Sequence, residues 1–523
     1  MREIPSKRLS LPQPTKFERA LAFFSPERAA KSYRTRCAFA MAESYSGASR
    51  SRRSVAGWNV SSGDADVDIL GPLQELRERS RDLERNNTIA GAAISTKVTA
   101  VVGTGLKLQA RPDRKTLGLS DDAADEWEDR TEAEFALFCQ SCDVERTLNF
   151  AALQDLAFRS VLVSGDTLIL TPYRKDTGDA YGLKLQLIEA DRVTNKDNAA
   201  DSEELAGGVV RKNGVPTGYT VQRSHPGSLI NRKLEWDTVG AWGKDGRRNA
   251  WLLYHKTRIG QYRGLPDLAP VIESLKQLGR YQDAELMAAV VASLFTVFIK
   301  TPEGSGLAIN DISDETGGKS TDKDFKLGNG LILDLAEGED VITANPGRPN
   351  TAFEGFVNAV TTEIGARLEL PFEVLTKRFQ SSYSAARAAL LEAWRYFHGR
   401  RKWMADNFCQ PVYELFLTEG VASGRIVAPG YLSSDPLLKS AWSRAEWVGD
   451  APGHIDEGKA AEAAIKRING GLSNEAIEVT ALTGRDRDQV YQGRKKEITQ
   501  RIADSMMPTD LQLVPSVEQV EKP

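Results

Sequence analysis

From Leu70 to Val102 the apolar residues recur with helical spacing. Leu73, Leu76, Leu83, Ala90, Ile94 and Val98 share one face, and Gly103-Thr-Gly105 stops the pattern. Leu106-Lys-Leu-Gln-Ala110 then alternates as a strand does, and helices are predicted over 121–138 and 149–163. Gly165-Asp166 turns into an apolar strand over 167–171, followed by predicted strands at 183–188, 208–211, 218–222 and 251–254. Asn213-Gly214 between two of them predicts a tight hairpin, because both central positions of a type I′ turn need positive φ. Residues 61–262 therefore read as one α+β domain.

The second half is dominated by helices. Pro266 opens a helical face of Leu268, Ile272, Leu275, Leu278, Tyr281, Ala284 and Ala288. Alanines at 284, 288, 289 and 292 would admit close neighbours, and about 30 residues make a rod of roughly 45 Å. A polar excursion follows, with Gly304-Ser-Gly306, a charged stretch at 311–324 and short strands at 330–334 and 340–343. Phe353, Phe356, Val360, Ile364 and Leu368 mark a further helix, closed by Pro371. The polar run Thr376-Lys-Arg-Phe-Gln-Ser-Ser382 reads as an exposed loop feeding a helix over 384–417, in which Pro411 predicts a kink. Beyond Pro429 the pieces shorten. Trp442, Trp447 and a helix at 456–468 suggest a small unit, and Asn469-Gly-Gly-Leu-Ser473 reads as a stop followed by an N-cap serine. The proline-containing tail from Met507 is expected to be disordered.

A chain of 523 residues should divide into several domains. A net charge of -4 argues against a tight grip on nucleic acid, though not against a conduit, where each strong phosphate contact would be a place to stall. Residues 1–60 depart from that balance, with twelve Lys/Arg against four Glu and the cluster Ser49-Arg-Ser-Arg-Arg-Ser54. They are expected to form a mobile, solvated arm, with a nucleic-acid tether as the alternative.

Four cysteines are too few for a disulfide framework and point to a reducing compartment. Cys139-Gln-Ser-Cys142 has no second pair and no nearby histidine, so it reads as two thiols near a helix end rather than a zinc or redox site. Leu21-Ala-Phe-Phe24 is too short for a signal h-region. The apolar stretch 286–299 is shorter than the ~20 residues that span a bilayer, so neither export nor membrane insertion is expected.

Nothing advertises catalysis. The histidines at 225, 255, 398 and 454 lie far apart, and neither a G-x-S-x-G elbow nor a G-x-x-x-x-G-K-[ST] phosphate loop occurs. No catalytic, cofactor or metal site is assigned, and the chain is expected not to be an enzyme. An ATP-driven motor is not expected either, so any DNA transport would be powered by a partner.

An ordered series of short motifs adds to this. Arg85-Asn-Asn87 and Val101-Val-Gly103 come first, then Gly165-Asp166 with Glu189-Ala-Asp-Arg-Val193. His255 to Arg258, Gly260-Gln-Tyr-Arg-Gly264, Tyr281-Gln-Asp-Ala-Glu285 and Tyr383-Ser-Ala-Ala-Arg387 follow. In this order, over roughly residues 81–497, the chain resembles the lambda-type portal proteins of tailed bacteriophages. One departure is Trp447-Val-Gly-Asp-Ala-Pro-Gly453, where the family usually has a shorter version before Glu457-Gly-Lys459.

The resemblance implies a multidomain α+β portal fold within a ring. Residues 61–262 would be a mixed α/β wing, 263–295 and 351–374 two stem helices, and 296–350 a small α/β clip. Residues 375–384 would be a tunnel loop, 385–452 the long wing helix and its return, 453–506 a helical crown, and 507–523 a tail. The tunnel loop would place Thr376, Lys377, Arg378, Phe379, Gln380, Ser381, Ser382 and Tyr383 at a DNA channel. There Lys377 and Arg378 would meet phosphate without base readout, and Phe379 or Tyr383 would pack between neighbouring loops.

Implied partners are further copies of the chain in a homo-oligomeric ring, twelve in the family, and double-stranded DNA. The terminase large subunit, the major capsid or scaffold protein and head–tail connector proteins complete the set. The implied location is the portal vertex of the virion, after assembly in the host cytoplasm. The alternatives are a head–tail adaptor or other structural virion protein without a channel, and a hydrolase with convergent carboxylates or histidines in one cleft.

Overall fold

The computed structural model describes residues 14–42, 53–55, 57–230, 233–293, 297–300, 340–343, 352–380, 382–433, 435–453, 456–485, 487–504 and 506. The chain forms two compact units, Met1–Asp64 and Ala65–Pro523.

The first unit holds helices α1 (Lys16–Phe24) and α2 (Pro26–Ala42). Thr15 and Glu18 form a capping box: Thr15 N donates to Glu18 Oε2 at 2.8 Å, and Glu18 N donates to Thr15 Oγ1 at 3.2 Å. Pro26 sits where α2 needs no donor. The expected mobile arm thus contains a helix pair, because local capping outweighs the overall basic charge. Residues 49–52 of the basic cluster lie outside the described residues.

The second unit opens with α3 (Ala65–Asn86) and α4 (Thr88–Val101). They replace the single helix expected over 70–102, because the Asn87 side chain accepts from the amides of Ile89 and Ala90 and restarts the helix. Strand β1 (Lys107–Ala110), the short α5 (Arg114–Leu117), α6 (Asp121–Ser141) and α7 (Phe150–Ser164) follow as the pattern predicts.

The next strands are β2 (Asp166–Leu170), β3 (Gln186–Glu189), β4 (Leu205–Ala206), β5 (Val209–Lys212), β6 (Val215–Gln222), β7 (Trp236–Gly240) and β8 (Ala250–Tyr254). They make an antiparallel sheet in the order β3-β2-β8 and another in the order β4-β5-β6-β7. Asn213 and Gly214, at φ 52° and 74°, form the predicted hairpin turn. Side chains of β2 alternate between two cores. Leu168 packs with Val209, Tyr219 and Val221 of the other sheet, whereas Ile169 joins the main helical core. With both faces covered, the strand reads as a continuous apolar run.

Helix α8 (Ile272–Ser293) begins later than Pro266, after a 3-10 turn over Ala269–Val271. Strands β9 (Val297–Lys300) and β10 (Asp340–Thr343) pair antiparallel. The strand expected at 330–334 and most of the expected clip lie outside the described residues. Helices α9 (Phe353–Arg367), α10 (Phe372–Thr376) and α11 (Tyr383–Met404) lead through a π-helical turn at Ala405–Cys409 into α12 (Gln410–Ala422).

The expected proline kink takes that π form. Pro411 has no N–H and crowds the carbonyl four residues back, Asn407 O, which instead accepts the indole N–H of Trp251 at 3.1 Å. Helix α13 (Pro436–Trp442) and strand β11 (Ala445–Val448) return to the core, where β11 pairs with β1. A last group comprises α14 (Glu457–Asn469), α15 (Glu475–Thr483) and α16 (Arg487–Ala503). Asn474, not Ser473, caps α15, its side chain accepting from Ile477 N at 2.9 Å. The tail from 507 lies outside the described residues.

Candidate functional site

The polar loop grows out of a tight turn. Gly365 of α9 packs so closely on Leu370 O that a Cβ there would lie 2.5 Å from it. Val374 and Leu375 of α10 are buried, and α10 ends at Lys377, held left-handed at φ 56°. Ser382 Oγ then accepts from Ala385 N at 3.4 Å and starts α11. The loop proper is therefore 377–382, shorter than the expected 375–384. Thr376 lies in α10, with its hydroxyl on Phe372 O at 2.8 Å, and Tyr383 is the first residue of α11.

Lys377, Arg378, Phe379, Gln380, Ser382 and Tyr383 are all exposed, while Ser381 lies outside the described residues. Phe379 and Tyr383 leave about half of their surface uncovered, at 52% and 50%. Arg378 donates to Glu354 Oε1 of α9 at 3.0 Å. Lys377 has no partner among the described residues. No sequence signal marked Glu354, which is 24 residues away.

The helices beside the loop form a pair. Tyr281 of α8 stacks on Phe353 with ring centroids 5.7 Å apart and meets Phe356 edge-on at 4.8 Å. Leu275 and Leu278 share a core with Ile364 and Leu368. Among the charged and polar residues on the open surface of the pair, Leu286, Met287 and Phe356 stay 65%, 61% and 50% exposed, and Leu391 of α11 is 63% exposed.

Three of the sequence motifs converge on one buried ion cluster. Asp166 receives Arg263 Nε and Nη2 at 2.7 and 2.9 Å, Arg77 Nη2 at 3.0 Å, and Gly264 N at 2.9 Å. The other guanidinium protons go to the carbonyls of Ser164, Ala190, Val193 and Gly207. Burial acts to raise the Asp166 pKa, but Arg263 and Arg77 outweigh it and hold the carboxyl below its ordinary range. Burial pulls Arg77 down to about 10, with Arg263 adding to the effect. Gly165 and Gly264 let the two backbones touch: a Cβ on Gly264 would lie 1.9 Å from Gly165 O. These motifs are structural.

A second convergence explains Val101-Val-Gly103 and the Trp447–Gly453 departure together. Asp450 accepts Thr104 N at 2.8 Å and Thr104 Oγ1 at 2.6 Å, and a Cβ on Gly103 would strike its carboxylate. Arg401 of α11 caps α4 through the carbonyls of Ala100 and Val101. Near the loop, Asp456 at the start of α14 has its pKa lowered, mainly by Lys459 and in lesser part by Arg387 of α11.

Other clusters are accounted for by ion pairing. Among the described residues Glu189, Asp191 and His225 could together ligate a metal. Arg81 already pairs with both carboxylates, and His225 Nδ1 accepts from Gly227 N at 2.9 Å, which places the proton of a neutral ring on Nε2. A cleft of about 800 Å³ includes His255, Asp68, Asp267 and Arg400. Asp267 is bound by Lys97 at 2.6 Å and Asp68 by Arg258. Burial pushes the Cys142 thiol up to about 12 and the Cys139 thiol higher still, keeping both protonated.

No helix among the described residues is long and apolar enough to cross a membrane. Portal protein B of Escherichia phage lambda is 24% identical over 474 residues, covering 86% of this chain and 88% of that protein. The portal protein of Escherichia phage N15 is 24% identical over 479 residues, covering 86% and 89%. Among solved structures, chains from the virion of a native gene transfer agent particle and from the neck of an empty one, the latter computed with C6 symmetry, are each 13% identical. They cover 79% of this chain and 94% of theirs, at TM-scores of 0.42 and 0.43, too loose an overlap to fix the fold or assembly. The sequence model "Phage portal protein, lambda family" matches residues 51–401. That is more than half of the sequence, and the chain belongs to the lambda family of phage portal proteins, structural components of the virion with a portal function.

Proposed function

We propose that copies of this chain close side by side into a ring at one capsid vertex, with the 377–382 loops lining a channel for double-stranded DNA. A terminase motor would drive the genome inward through the ring, and head–tail connectors would attach to it before ejection. The family's twelve copies are the expected number, and assembly would take place in the host cytoplasm beside capsid or scaffold protein.

The single observation that carries this reading is the loop itself. It is polar, exposed throughout its described residues and anchored at both ends by helices, as a surface that touches a moving phosphate backbone should be. It carries two cations, Lys377 and Arg378, whose contacts to phosphate would be sequence-independent. The open apolar positions on α8, α9 and α11 suit the head-to-tail interfaces of a closed ring. The role is mechanical, and the ion clusters described above need no catalytic explanation.

Native mass spectrometry with negative-stain imaging of the purified protein tests it. Large annular particles are expected. Monomers and dimers alone, across a wide concentration range, would count decisively against the ring.

A further inference from the structure

We propose that Glu354 is a positioning residue for the loop: its carboxylate competes with DNA for Arg378, leaving Lys377 as the cation offered without that competition. The inference rests on the reading of 377–382 as channel-lining and adds a restraint to it.

Three observations support the pair as a built contact. Glu354 lies in the first turn of α9, where the helix dipole favours a carboxylate. That end of α9 is fixed by the Tyr281 rings-on-ring contact with Phe353 and Phe356. The loop is also fixed at its base, by buried Leu375 and the left-handed Lys377, so Arg378 meets Glu354 from a defined origin.

The pair is half-exposed, at 45% and 67% for the two side chains, and so weak enough to exchange. An ion pair of that kind biases its closed state by roughly 1.4- to 5-fold. DNA presents a phosphate charge about every 1.7 Å of axis, a field strong enough to compete for Arg378. Arg378 therefore alternates between Glu354 and passing phosphate, and the loop's hold on DNA stays below that of two free cations.

Limited trypsin digestion of the full-length assembled protein reads the pair without DNA. Cleavage after Arg378 is measured by mass spectrometry against cleavage after Lys377 as internal reference. Glu354→Gln should raise that ratio about two- to fivefold, and Glu354→Asp should partly restore it. In a second measurement, Glu354→Gln should make DNA retention by the rings more steeply salt-dependent, because each freed cation adds to the slope. Lys377→Asn, which tolerates the left-handed backbone, should make it shallower.

An unchanged trypsin ratio in Glu354→Gln overturns the restraint, whatever DNA retention does. A changed ratio with no effect of either variant on retention overturns the placing of the loop at DNA, and the proposal falls with it. A changed ratio with retention altered only in Lys377→Asn leaves the loop at DNA and overturns Glu354's influence on its grip.

Discussion

Arg263 grips Asp166 through two hydrogen bonds, at 2.7 and 2.9 Å, with both side chains at least 98% out of solvent. Arg77 binds the same carboxylate at 3.0 Å. Removing that charge would leave two guanidiniums facing each other in the interior. Asp166→Asn, close to isosteric, is therefore expected to destabilise the subunit by about 3–5 kcal/mol. Urea denaturation measures it, and a loss below about 1 kcal/mol would show that the cluster is not structural.

Gly264 in this cluster and Gly279 in α8 allow a matched comparison. Gly264→Ala drives a methyl group into the Gly165 carbonyl and should cost about 3 kcal/mol, the upper end of overpacking. Gly279→Ala, in α8 with nothing within 4 Å, should be neutral or stabilise by up to about 1 kcal/mol through helix propensity. Thermal melting of the two variants in parallel gives the contrast; equal effects would contradict the close backbone approach.

Trp251→Phe removes the donor to Asn407 O while keeping an aromatic ring in the core. The bared carbonyl should cost about 1–3 kcal/mol. If the π turn exists to serve this bond, hydrogen exchange should accelerate first at residues 405–409. Protection unchanged there would separate the turn from the tryptophan.

In the last helical group, hydrogen bonds from Arg467 lower Glu478 from its ordinary 4.5 to about 2. A depressed carboxyl contributes stability that is complete above the unfolded value. Between pH 4.5 and about 2 the unfolded chain takes up a proton that the folded one refuses, so the contribution shrinks as pH falls and is gone below about 2. NMR titration of the Glu478 carboxyl reads the midpoint directly. A midpoint near 4.5 would mean the pair does not form in solution.

Most elements were legible: α7 and α9 each bury a face with helical spacing, and β2, buried on both faces, shows as a continuous apolar run. What escaped the sequence was set by distant partners. Strand β11 carries a weak pattern of its own and exists because β1 supplies its ladder. The strand expected over 183–188 is regular only at Gln186–Glu189, since Leu183 and Leu185 form isolated bridges to Tyr173 and Asp143. The loop was visible as a polar run, but its true ends depend on the Lys377 backbone and the Ser382 cap. Glu354 was invisible, because an exposed ion pair between elements leaves no local signature.

The Asp166 cluster also bears on how the subunit is made. Its ligands come from positions 89 residues before and 97 residues after the carboxylate, so no partial chain can satisfy it. During synthesis a nascent polypeptide that has not yet extruded Arg263 holds a half-neutralised charge in an unfinished interior. Contacts of such long sequence separation form late and slowly. Folding of this region therefore waits on the segment that leads directly into α8, so the interior around Asp166 closes only once Arg263, about halfway along the chain, has emerged.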